Sequence, residues 1–327
     1  MNKYFVGYVT LPTITTVTDT QAKKLTHLNL AFAPMRDGET AMVLDDRQIL
    51  EISRLRKANP NLAILVSTGG GGDRGHGEDT STPEGLDKLT ESTIRLVEKY
   101  GLDGIDCDWE FPGDTGIIEE KYQHTALFAD YRQKLDKLSE KTGKKYWLTT
   151  AAGAGEWYLN RTEIDKSHEY LDFVNLMTYD SNTDSSIAGH HTHLFESKAP
   201  GCPRIQSADH NIKIMVEAGV PIEKILIGVA FFSHRWDQVP DVNHGLYQNT
   251  PFKNMFGPSY TVEHDTFENS DMTFLYLEEK EGYLIPITGQ VGLYTPQVEV
   301  LDKSQGLMYA TVGYIPTFTN NTFVFSA

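Results

Sequence analysis

The 327-residue chain has almost no cysteine: only Cys107 and Cys202 are present. That excludes a disulfide framework, and at this length a hydrophobic core is large enough without one. Cations are also scarce, with 29 Lys and Arg against 45 Asp and Glu, a formal net charge of −16. Binders of nucleic acid or anionic membrane need a basic footprint, so neither partner is expected, whereas a neutral or cationic substrate fits. No apolar run approaches the roughly 20 residues of a membrane-spanning helix. The opening MNKYFVGYVT passes straight into strand-like alternation, with no apolar h-region and no small-residue cleavage site, so no export signal is expected there. Localisation stays open. Internal repeats and low-complexity tracts are absent too. Tryptophan is limited to four residues, and none follows Trp236.

What is present is a regular alternation. Short apolar segments at 4–10, 25–33, 62–68, 102–110, 146–152, 171–180 and 225–232 read as strands. Amphipathic windows at 46–58, 83–100, 119–141 and 207–219 read as helices, with apolar spacing near 3.6 and Gly101 as a stop signal. Strands this apolar, separated by helices, predict a parallel sheet covered on its outer face. The expected fold is α/β, a (β/α)8 TIM barrel. A doubly wound open sheet is the rival, weakened because no G-x-G-x-x-G follows the first strand. From about residue 237 to 299 the pattern breaks into short alternating runs rich in Tyr, Phe, Asn and Pro. The expected division is therefore 1–236 for barrel strands one to seven, 237–299 for a small α+β insertion between strands seven and eight, and 300–327 for barrel closure. In that last part GLMYATV serves as strand eight.

One strand carries an unusual load. DGIDCDWEFPG, residues 103–113, packs four acids into eight positions, alternating with Ile105, Cys107 and Trp109. Strand side chains alternate faces, so Asp106, Asp108 and Glu110 share one face and Cys107 and Trp109 the other. The apolar set suits the helix side, which turns the acids towards the barrel interior. Glu110 comes last, at the carboxyl end where barrel sites form. Asp103, at the start and of opposite parity, reads as structural. Crowded carboxylates at low dielectric share protons and raise one pKa, which keeps an acid protonated for general acid catalysis. A carboxylate metal site and a purely structural ion network are the competing readings. No imidazole stands at ligand spacing with these acids, and the strand has no Lys or Arg to pair with them.

DGIDCDWE also resembles the D-x-x-D-x-D-x-E signature of family 18 glycoside hydrolases, the chitinase family. LVSTGGGGDRG is similar to the family's S-x-G-G strand through Ser67, Gly69 and Gly70, and NLMTYD to its M-x-Y-D strand through Met177, Tyr179 and Asp180. GVAFFSHRW resembles its seventh strand, and AGHHTHL, with His190, His191 and His193, a loop after the sixth. The resemblance runs over about residues 4–260. It implies a hydrolase of chitin or chitooligosaccharides, without metal or other cofactor, with a monomer expected. All three strand acids approach a bound sugar from one side, so nothing in the strand reaches the other ring face. The family is substrate-assisted, which implies that the sugar's 2-acetamido oxygen is the nucleophile. The implied roles are Glu110 as acid then base, Asp108 holding the acetamido N–H, Asp106 sharing a proton with Asp108, and Tyr179 bonding the acetamido carbonyl. Met177, Asp180, Tyr8 and Gly70 are the implied sugar-binding positions. Trp157 and Trp236 follow strands five and seven and are candidate stacking surfaces. An endo-β-N-acetylglucosaminidase acting on glycans and a noncatalytic chitin-binding lectin are the alternatives, and Glu110 counts against the lectin. The family's G-x-M-x-W-[ED] closing strand is missing. Tyr309 or Tyr314 stands in for its Trp, or a reading-frame change alters the tail from about Tyr283.

Overall fold

The structure, a computed structural model, describes residues 4–181, 186–187, 190, 192–198, 200–202, 207–229, 233–239, 242, 247–249, 297–302 and 306–312. From residue 230 to 241 and beyond 250 the strands are described by their backbone alone. Seven strands form one sheet: β1 (Val6–Thr10), β2 (His27–Ala33), β3 (Ala63–Gly69), β4 (Gly104–Asp108), β5 (Trp147–Gly153), β6 (Phe173–Met177) and β7 (Ile225–Ile227). Neighbours in the sheet are neighbours in sequence, and every pair is parallel. Helices α1 (Asp46–Ala58), α2 (Pro83–Tyr100), α3 (Glu120–Thr142) and α4 (Ala208–Glu217) lie in the crossovers. This is the (β/α)8 plan, with no eighth parallel strand among the described residues.

Local chemistry sets the helix ends. Asp45 and Gln48 form a reciprocal capping box at α1. At α2, Thr82 accepts the N–H of Gly85, Pro83 opens the helix, and Gly101 ends it at φ 60°. Every residue of β3 and of β4 is buried, as a sheet covered on both faces requires.

At the amino ends of the strands one device recurs. A side-chain oxygen just before a strand accepts a backbone N–H at or just before the start of the preceding strand. Thr26 takes that of Phe5 at 2.8 Å, Asp103 that of Ile64 at 2.7 Å, and Asp172 that of Leu148 at 2.9 Å. Asp103 is also paired with Arg56 and Lys144, and Asp172 with Arg132 and Lys145. Asp103→Ala strips three donors of their acceptor at once. The expected loss is about 1–3 kcal/mol in urea denaturation, with Asp103→Asn losing less because its amide oxygen still accepts the Ile64 N–H.

A second contact unit contains Thr178–Asn211 and Val229–Thr322. Within it, Ser233–Val239, Gly306–Val312 and Gln297–Asp302 form an antiparallel sheet with Gly306–Val312 in the middle. Two expectations are corrected here. GLMYATV is not barrel strand eight: only three residues separate it from QVEVLD, a connection that makes a hairpin, whereas a parallel strand needs a crossover of about a dozen residues. Strand seven stops at Ile227 rather than at 232, and SHRW belongs to the antiparallel sheet. The strands of this sheet run across residues 236 and 299.

Candidate active site

Register brings the polar residues together. Ser67 on β3 and Thr149 on β5 stand directly beside Asp106 on β4. Ser67 donates its hydroxyl to Asp106 Oδ2 at 2.7 Å, and Thr149 to Oδ1 at 2.6 Å. Two further donors come from strands that are not neighbours of β4. Tyr8 of β1 reaches Oδ2 at 2.8 Å, and Asn175 Nδ2 of β6 reaches Oδ1 at 3.2 Å and the Tyr8 hydroxyl at 3.1 Å. Strands three and two places away in the sheet meet on one carboxyl only if the sheet curls around it, so Asp106 lies in the interior. It is completely buried. Burial pushes its pKa up, and the four donors hold that rise back.

Asp108 is also buried, but its surroundings differ. Burial, the charges of Glu110 and Asp106, and a hydrogen bond with the Glu110 carboxyl raise its pKa well above the carboxylate range. The Asp108–Glu110 pair therefore holds a proton more tightly than isolated carboxyls would. Asp108 Oδ1 is the one buried carboxylate oxygen among the described residues that has no hydrogen-bond partner. Glu110, the next acid along the face, is partly open to solvent. The acid face thus runs from a fully bonded Asp106, through a half-bonded Asp108, to an accessible Glu110. Burial and the nearby Asp106 and Asp108 charges keep the Tyr8 phenol protonated, so Tyr8 acts as a donor to Asp106.

The other face of β4 is apolar, with Ile105 and Cys107 fully buried and Trp109 nearly so. Gly69 and Gly70 sit where side chains do not fit. At Gly69, φ is +91° and an added Cβ would lie 2.4 Å from both the Asp108 carbonyl oxygen and the His76 ring. At Gly70, φ is +93° and the Cβ would lie 2.8 Å from the Phe32 ring. The Gly70 N–H donates to the Asp108 carbonyl at 2.9 Å, so Gly70 anchors the acid strand through its backbone. Trp157 packs edge-on against Phe111, the residue after Glu110, at 4.8 Å, and its indole N–H donates to the Ala154 carbonyl at 3.2 Å.

Met177 closes β6 and is buried. Tyr179 and Asp180 follow it in the chain but fall in the second unit, Asp180 with φ 59°. The backbone of Trp236 pairs with Tyr309 in the antiparallel sheet; its side chain lies outside the described residues, as do His191, Phe232 and Tyr314. The carbonyl of His193 accepts the N–H of Ala208 at the start of α4. Among the described residues no group of three His, Cys, Asp or Glu side chains is arranged to hold a metal.

Sequence reasoning passed over Thr149, Asn175 and Phe32. Asn175, the polar residue in the buried strand FVNLM, carried the same signal as the acids. Phe32 is 38% exposed above Gly70, and no pattern marked it.

A family model described as glycosyl hydrolases family 18 matches residues 4–324. The chain belongs to that family. The family match extends well past residue 260, so the segment without the closing Trp motif lies inside it. Chitinase A1 of Niallia circulans is 32% identical over 248 residues, which cover 72% of this chain and 35% of that protein. Chitotriosidase-1 of Mus musculus is 27% identical, covering 70% of this chain and 51% of its own length. The chain thus spans about a third to a half of these two relatives. Among solved structures, a family 18 N-acetylglucosaminidase from Paenibacillus barengoltzii is 34% identical, with a TM-score of 0.78, and the match covers 95% of this chain and 88% of that one. Membership in family 18 carries the (β/α)8 barrel with it, and the seven parallel strands are its described part.

Proposed function

We propose that the chain hydrolyses β-1,4-linked N-acetylglucosamine polymers or oligomers by substrate-assisted, retaining catalysis. The observation that carries this reading is the unpartnered Oδ1 of Asp108, buried beside the Glu110 carboxyl. A buried acceptor without a donor costs free energy in the free protein, and a bound sugar's acetamido N–H is a donor of the right kind.

In this mechanism Glu110 protonates the leaving glycosidic oxygen, and the acetamido oxygen of the same sugar closes on the anomeric carbon. Asp108 turns to the acetamido N–H and balances the positive charge of the cyclic intermediate. Asp106, fixed by four donors, shares a proton with Asp108 and biases that turn. Glu110 then takes a proton from water as the water opens the ring. Tyr179 is assigned to the acetamido carbonyl, Met177 and Asp180 to the floor of the central sugar site, and Trp157 and Trp236 to flanking sugars. No metal or organic cofactor takes part in these steps.

Incubation with a chitooligosaccharide and analysis of the products tests the reading. Shorter N-acetylglucosamine oligomers are expected; intact substrate, bound or unbound, would remove it. A second reading concerns the product alone: the similarity to the Paenibacillus enzyme favours release of single N-acetylglucosamine units. The size distribution at early times separates it from internal cleavage.

A further inference from the structure

Two histidines lie directly behind the catalytic strand, and the mechanism does not use them. His76 belongs to the short helix Gly75–Asp79 that follows the glycine loop, and His124 to α3. Both are buried to 1% exposure or less. His76 stacks on the Trp109 ring at 5.3 Å and 10°, and His124 meets the same ring at 5.7 Å and 64°. His124 in turn packs on Phe128 and Tyr158. Neither nitrogen of His124 has a hydrogen-bond partner, and Nδ1 of His76 has none. His76 Nε2 has only long contacts, 3.5 Å to Thr68 Oγ1 and 3.9 Å to Cys107 Sγ.

Packing alone does not explain this choice. A phenylalanine would fill either place without burying unbonded nitrogens, each of which costs stability. What the position does control is Trp109, whose neighbours in the chain are Asp108 and Glu110. The rest of the environment is braced. One turn before His124, Glu120 accepts the Gly113 N–H at 2.7 Å and the Thr115 hydroxyl at 2.6 Å, which pins the loop after Glu110. The His76 ring lies against Gly69, which stands beside Asp108 in the sheet.

We propose that His76 and His124 are positioning residues for Glu110, acting through Trp109, and that they hold Trp109 only while both rings are neutral. The proposal rests on the assignment of Glu110 as proton donor. Asp73, the one carboxylate that favours a charge on His76, is outweighed by burial, which lowers the His76 pKa to about 4. Burial, with His76 adding to it, lowers His124 to about 3. The other groups packed on the pair are Cys107, Thr68, Gly69, Phe128, Tyr158 and Trp109. Cys107 and Tyr158 are held protonated by burial, so neither supplies a counter-charge. A cation over the Trp109 face would gain some cation–π attraction, but in a site without acceptors desolvation dominates. Each imidazole binds its proton in the unfolded chain near pH 6.5 and in the folded chain only near 4 or 3, so both weaken the fold as pH falls through that window.

The test compares the full chain with His76→Phe, His124→Phe and the double variant, alongside His124→Ala. Initial rates on a chitooligosaccharide give kcat and KM from pH 3 to 7, and thermal midpoints are followed over the same range. At neutral pH, His124→Ala should lower kcat about tenfold with KM nearly unchanged, and His124→Phe should restore it. On acidification the wild type should lose kcat before the double Phe variant does, the ratio between them reaching about tenfold near the lower end. The thermal midpoint of the double variant should also fall less with acid. Identical acid limbs for kcat in all Phe variants, or full kcat in a folded His124→Ala protein, would overturn the proposal. If the wild type hydrolyses nothing, the functional reading fails instead. The thermal midpoints still report whether the neutral pair holds the core.

Discussion

Glu110→Gln should lower kcat on a chitooligosaccharide by about 10²–10⁴-fold, the range for loss of a positioned general acid. KM should change little. Glutamine keeps the shape of the side chain and its hydrogen bond to Asp108, but has no proton of suitable acidity to give the leaving oxygen. It also cannot take one from water in the second half of the reaction. The partly open position of Glu110, beyond two buried acids on the same face, is why the effect concentrates there. A chitooligosaccharide should still bind measurably to the variant. Near-wild-type kcat would remove Glu110 from the role and shift attention to residues of the second unit.

Asp108→Asn is expected to cost on the order of 10²–10³ in kcat, as for loss of a group aimed at charge that develops in the transition state. The argument is electrostatic. Asp108 is held well above the carboxylate range by burial and by the charges of Glu110 and Asp106. Its carboxyl therefore holds a proton more tightly than a free one, and as Asp108 turns that proton passes to Asp106, leaving the Asp108 charge to face the sugar's N–H and the growing positive centre. Asparagine has no charge to release. The same substitution keeps the size of the side chain and buries no new charge, so the stability of the folded state should change little, which thermal denaturation checks. An active Asp108→Asn protein would show that the positive intermediate is not balanced from this side. A protein that unfolds would show that the carboxyl mattered to the fold.

Much of this site is legible in the linear sequence because a strand has a period of two. The alternation in DGIDCDWE separates the acids from Cys107 and Trp109, and that separation explains why one face buries a stacked tryptophan while the other collects hydrogen-bond donors. Helix ends at Thr82, Pro83 and Gly101 are legible for equally local reasons. The bonds that fix Asp106 are not. Tyr8 lies 98 residues away and Asn175 69 residues away, and only the curl of the sheet decides that they converge. In the sequence Gly69 and Gly70 stand out only as members of an S-x-G-G strand, whereas the structure gives them left-handed φ angles and no room for a Cβ. The hairpin at 297–312 was misread as a barrel strand because GLMYATV has the apolar content of one, and its short link to QVEVLD was the signal against it. His76 and His124 could be noticed only when both are seen to pack on one indole.

The central claim is that the attacking group comes from the sugar and that all protein acids act from one side. The most direct measurement is the anomeric configuration of freshly released product, followed by NMR before mutarotation equalises it. Two inversions at the same carbon, first by the acetamido oxygen and then by water, predict a mainly β product. A product that forms mainly as α would mean a single displacement by water and would contradict the account.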